Sequence, residues 1–82
     1  MQEQEIATRL APIFETVLGV STREVTGSLS PETCAKWDSL NHIHLVNGIE
    51  EEFQVQLEFE EQMGMLSFAQ AISIVFDAIA RR

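Results

Sequence analysis

The sequence predicts an all-α fold: a small bundle of three main helices and one short helix, with a long first loop. Two observations carry this. Apolar residues recur at three- and four-residue spacing in three separate segments, and each segment opens or closes on a helix boundary signal. A third is negative: Val55-Gln56-Leu57 is the best strand candidate, and it is too short. At 82 residues the chain is one domain, spanning residues 1–82.

In the first segment, Ile6, Leu10, Ile13, Phe14, Val17 and Leu18 form one stripe, predicting a helix over 3–18 that ends at Gly19. Pro12 interrupts it, so a kink is expected there. From Val20 to Trp37 no period is sustained. Thr26, Gly27, Ser28, Ser30 and Pro31 read as loop, with Val20, Val25 and Leu29 pinning it to the core and one turn starting at Ser30-Pro31. A loop of this length in a small domain is often functional.

The second helix starts at Asp38 or Ser39, with Asp38 suited to cap it. Leu40, Ile43, Val46, Ile49 and Phe53 fall mostly on one stripe, with Leu45 beside it. A short third helix is expected over Glu58–Met63, closed by Gly64. Ser67-Phe68-Ala69-Gln70 reads as a capping box that opens the last helix. Phe68, Ala71, Ile72, Val75, Phe76 and Ile79 give that helix a wide apolar face, and Arg81 and Arg82 suit its negative end.

Composition narrows the function. A domain this small buries only about 60–65% of the surface its unfolded chain exposes, which leaves little room for a deep enclosed active site. Hydrophobic content of 45% and charged content of 22% are those of an ordinary globular domain. No apolar run approaches the roughly 18 residues needed to span a bilayer. The opening MQEQEI lacks the basic and apolar regions of a signal peptide, so a cytoplasmic location is expected. Cys34 is the only cysteine, so no internal disulfide is possible; a small, partly buried side chain is the ordinary reading and a reactive thiol the alternative.

Net charge is −8, and its placement is uneven. No basic residue lies between Lys36 and Arg81, a stretch that includes Asp38, Glu50, Glu51, Glu52, Glu58, Glu60, Glu61 and Asp77. Such a surface repels phosphate backbones and disfavours nucleic acid. It attracts basic protein partners, or it is simply a solvated face.

Lys36-Trp37-Asp38-Ser39-Leu40 raises a sharper question: what Ser39 is for. As plain structure, Asp38 and Ser39 cap a helix. As an enzyme, Ser39, His42 and Asp38 resemble a triad only superficially, with no oxyanion hole or pocket evident. As a metal site, His42 and His44 point about 200° apart on a helix and cannot share an ion with Cys34. As an attachment point, a serine at a helix N-terminus is exposed, and the helix dipole and free N–H groups there stabilise an added phosphate.

Asp38-Ser39-Leu40 followed by Ile43, Leu45, Val46, Ile49, Glu50, Glu51, Glu52 and Phe53 resembles the central helix of acyl carrier proteins. The likeness extends to chain length, the Leu18-Gly19-Val20 end of the first helix, the long loop, the acidic third helix and the apolar fourth. The resemblance implies the fold of that family and 4′-phosphopantetheine joined to Ser39 by a phosphodiester. A separate phosphopantetheinyl transferase would install the arm from coenzyme A, and the arm's thiol would hold an acyl group as a thioester. On this reading Asp38 caps the helix and helps the transferase recognise the site. Leu40 and Ile43 meet the transferase and later acyl-loading and acyl-using enzymes, and Trp37, Asn47, Glu50 and Glu51 complete the partner surface. The carrier would be non-catalytic, monomeric and free of metal, with no nucleic acid or membrane as partner.

Asn41 and His44 stand where fatty-acid carriers usually have acids, Asn47 where they usually have an apolar residue, and Trp37 where a small or aliphatic one is usual. The Trp-Asp-Ser-Leu form is similar to discrete bacterial carriers of specialised pathways. Two alternatives stay open: an aminoacyl or peptidyl carrier, and a carrier-like helical domain used only for protein binding.

Overall fold

A computed structural model describes residues 1–82 and is entirely helical apart from its loops. Helix α1 spans Glu3–Leu18, α2 Ser39–Phe53, α3 Phe59–Met63 and α4 Phe68–Arg81, with one 3₁₀ turn at Thr22–Glu24. No helix is long and apolar enough to cross a membrane.

Helix α1 ends as its sequence dictates. Gly19 takes φ 67°, the left-handed conformation, and its N–H bonds the Glu15 carbonyl at 2.9 Å. Helix α1 continues through Pro12 without a break. Pro12 and Thr8 are both on the exposed side, so the carbonyl that loses its donor faces water.

The core is built from 16 buried apolar residues and contains no buried polar residue. Ile6, Leu10, Phe14 and Leu18 enter it from α1, Leu45, Val46, Ile49 and Phe53 from α2, and Phe68, Ala71, Val75 and Ala78 from α4. The loops add Leu29, Trp37, Leu57 and Met65. Phe14 is the hub: Trp37 and Phe68 meet its ring edge-on, with centroids 5.2 and 5.0 Å away.

Two apolar stripes extend beyond the faces they bury. Leu40 is 63% and Ile43 57% exposed, so neither belongs to the inward stripe of α2. At about 100° per residue, Leu40 lies roughly 180° from Ile49, and His42 takes the inward place one turn before Leu45 and Val46. In α4, Phe76 is exposed and Ala78 buried, while Ile72 and Ile79 are only half-buried.

The long first loop is tied down at both ends of its course. Val20 and Val25 pack against the core and Leu29 enters it. The carbonyls of Leu29 and Gly27 accept the N–H groups of Phe68 (2.9 Å) and Ala69 (3.2 Å), so the loop satisfies donors of the first turn of α4. The Ser30 carbonyl accepts from Thr33 and Cys34, forming the single turn expected there. Cys34 is free and half-buried.

Candidate functional site

Asp38 makes the entry to α2. Its backbone is extended, and its Oδ1 accepts the N–H of Asn41 at 2.9 Å, an N-cap bond. Asn41 returns the constraint by donating from Nδ2 to the Lys36 carbonyl at 2.7 Å. The turn from Lys36 to Asn41 is thus held by two bonds that leave Ser39 out.

Ser39 is the first residue of α2 and is exposed. Its hydroxyl makes no hydrogen bond with the protein, so the oxygen is free to react or be modified. It sits at the positive end of a four-turn helix, where the first N–H groups have no helical partner.

Beside Ser39 lies an open groove of about 480 Å³ between the start of α2, α3 and the end of the first loop. Ile43, Phe59, Met63 and Leu66 supply an apolar lining, with Trp37 at its base and Asp38, His42 and Gln62 as its polar members. Phe59 is 73% exposed. A rim of this kind offers contact to an apolar chain or a partner's side chains. Phe59, Met63 and Leu66 were not singled out by sequence; their period is broken by the shortness of α3 and by Gly64.

A larger groove of about 720 Å³ lies at the far end, lined by Glu50, Gln54, Glu58, Arg81 and Arg82 among others. Three of its charged side chains are engaged within the fold. Arg81 pairs with Glu61, Arg82 donates to the Phe53 carbonyl, and Glu50 accepts the Leu57 N–H at 2.9 Å.

The expected partner residues divide. Ile43, Asn47 and Glu51 are exposed. Trp37, expected on the partner surface, is instead 3% exposed with its indole packed on Phe14, so it lies beneath that surface. Glu50 is half-buried and bound to Leu57, and Glu52 is paired with Arg9 at 2.9 Å under a cation–π contact of Arg9 with Phe53. Of the acidic triplet, only Glu51 has a carboxylate without a protein partner.

Both nitrogens of His42 are also occupied. The Trp37 indole N–H donates to Nδ1 at 2.9 Å, and Nε2 lies 2.8 Å from the Gln62 carbonyl. No nitrogen remains to activate Ser39. No three His, Cys, Asp or Glu side chains converge anywhere in the fold.

No protein-family model matches the chain.

Proposed function

We propose that the chain is an acyl carrier, holding an acyl intermediate as a thioester on a 4′-phosphopantetheine arm attached to Ser39. The observation that carries this reading is the state of Ser39: exposed, unbonded, at the N-terminus of a long helix and beside an apolar groove. A phosphodiester there gains from the unpaired N–H groups and the helix dipole. The neighbouring histidine is engaged by Trp37 and Gln62, so the serine proton must be removed by a separate transferase rather than within this chain. The order of helices, the long loop and the Asp38-Ser39-Leu40 motif support the same assignment. On this reading the chain works in the cytoplasm as a monomer, and the apolar lining suits acyl more than aminoacyl cargo.

The test is intact-mass analysis after incubation with a phosphopantetheinyl transferase and coenzyme A. The wild-type protein gains the mass of one arm, and Ser39→Ala gains none. Addition at Ser28 or Ser30 overturns the assignment. A chain that stays unmodified, there and in its host, favours the second reading, a protein-binding domain that uses the exposed rim of Leu40, Ile43 and Phe59.

A further inference from the structure

His42 opens the inward face of α2, and neither the apolar core nor an attachment reaction at Ser39 explains a histidine there. Its partners define its state. An indole N–H can only donate and a backbone carbonyl can only accept. Nδ1 therefore carries a lone pair towards Trp37, and Nε2 carries the proton given to Gln62. The ring is neutral, and it stacks on the indole with planes 19° apart.

Helix α3 is hydrogen-bonded to this ring. It has no buried side chain of its own. It is joined to α2 by the bond from His42 to Gln62 and to α4 by the pair of Arg81 with Glu61, with Leu57 and Met65 buried at its two flanks. We infer that His42 is a proton-operated clasp: a second proton on the ring parts it from Trp37, loosens α3 and widens the groove beside Ser39. A proton on Nδ1 sets N–H against N–H, and turning the ring over does not help, because both nitrogens of an imidazolium are donors.

Nothing around the ring is placed to compensate the added charge. Asp38, the other ionisable group lining the groove, turns its carboxylate to the Asn41 N–H. Lys36, in the same turn, is exposed. On α3, Glu60 and Glu61 line a different cleft, with Gly64 and Ile74, and Glu61 is paired with Arg81; Glu58 is exposed at the helix start. His44 is exposed on another face of α2. From α1 and α4 the residues packed on Trp37 and its neighbour are Phe14 and Phe68. No carboxylate forms an ion pair with His42.

The clasp is independent of whether Ser39 carries an arm, so the unmodified chain tests it and its failure leaves the carrier reading untouched. Trp37 is the only tryptophan and there is no tyrosine, so the indole N–H resonance and the fluorescence report on this one bond. On lowering the pH from about 8 to about 5, the range in which histidines titrate, the indole and His42 ring resonances should move with one shared midpoint. Amide-exchange protection of Gln62 and Gly64, whose N–H groups bond the Glu58 and Glu60 carbonyls, should fall about tenfold, as for loss of one neutral hydrogen bond, while the cores of α1 and α4 keep theirs. His42→Gln, which can accept and donate but not titrate, should abolish the transition, and His44→Gln should retain it. The proposal is overturned by separate midpoints, by a flat indole signal, by the same transition in His42→Gln, or by protection lost equally across α1 and α4. Should His42→Gln fail to fold, the midpoints in the wild-type protein decide.

Discussion

Arg81, at the end of α4, grips both carboxylate oxygens of Glu61 on α3, each at 2.8 Å. This bidentate pair closes the bundle at the end opposite Ser39, and Arg81 adds a bond to the Gln56 carbonyl at 3.3 Å. The hydrogen bond from Arg81 is the main cause holding the Glu61 carboxyl below its ordinary range, with the Glu58 N–H contributing.

A depressed carboxylate stabilises the fold above its unfolded value, and that contribution disappears as pH falls through the lower, folded value. Arg81→Gln should therefore melt at a lower temperature than wild type at neutral pH. The gap should begin to shrink as pH drops below the ordinary value of 4.5 and close once pH is below the lower, folded value, where Glu61 is protonated in both states. The pair is partly exposed, with side-chain exposures of 46% and 19%, so the effect should be small and weakened by salt. Melting curves of both proteins at neutral and acid pH check this. A gap that is constant across pH would mean that Arg81 acts through Gln56 alone.

At the other end, the Asp38 cap should be worth about 1 kcal/mol. Asp38→Ala should lower the melting temperature by about 4–8 °C for a domain of this size, and Asp38→Asn by less, because its oxygen can still accept. Ser39→Ala, which removes an exposed hydroxyl with no partner, should stay within about 0.5 kcal/mol of wild type. Reversal of that order would show that Asp38 does not cap the helix.

How far the fold was legible follows from which residues obey their local signals. Gly19, Gly64 and Ser67 end or begin helices where their chemistry places them. The Ser67 hydroxyl accepts from Gln70, but the reciprocal bond of a capping box goes one residue early, to the Leu66 N–H. Periodicity alone does not mark the buried face of α2, because two exposed aliphatics, Leu40 and Ile43, continue the apolar stripe while a histidine occupies the inward position. A half-buried histidine held by two specific hydrogen bonds has no periodic signature. The same limit hid the support under the site. Asp38-Ser39 was visible as a helix entry, whereas the bonds from His42 to Trp37 and Gln62 join residues 5 and 20 positions apart.

The core makes a plainer prediction. Phe14 is fully buried against two aromatic rings, and Phe76 is 41% exposed. Phe14→Ala should cost about 3–5 kcal/mol, close to the whole stability of a small domain, and Phe76→Ala about 1 kcal/mol or less. Urea unfolding monitored by helical circular dichroism separates the two. Equal losses would contradict the orientation of α4 described above.

The carrier role proposed above gives the last prediction, and it rests on the unequal fates of two neighbouring acids. Glu50 accepts the Leu57 N–H, so it helps to shape the link between α2 and α3. Glu51 is exposed and its carboxylate has no partner in the fold. Reversing charge at each position changes the net charge equally but not the structure equally. Glu51→Lys should leave the melting temperature nearly unchanged, while slowing association with a basic partner enzyme and flattening its dependence on ionic strength. Glu50→Lys should slow association too, but with a lower melting temperature, because the Leu57 amide loses its acceptor and a bond worth roughly 1–3 kcal/mol. Association rates of both variants with a phosphopantetheinyl transferase, at low and high salt, make the comparison. If Glu51→Lys binds at the wild-type rate and keeps its salt dependence, the acidic end of α2 does not steer that partner, and recognition lies with the apolar rim of Leu40, Ile43 and Phe59.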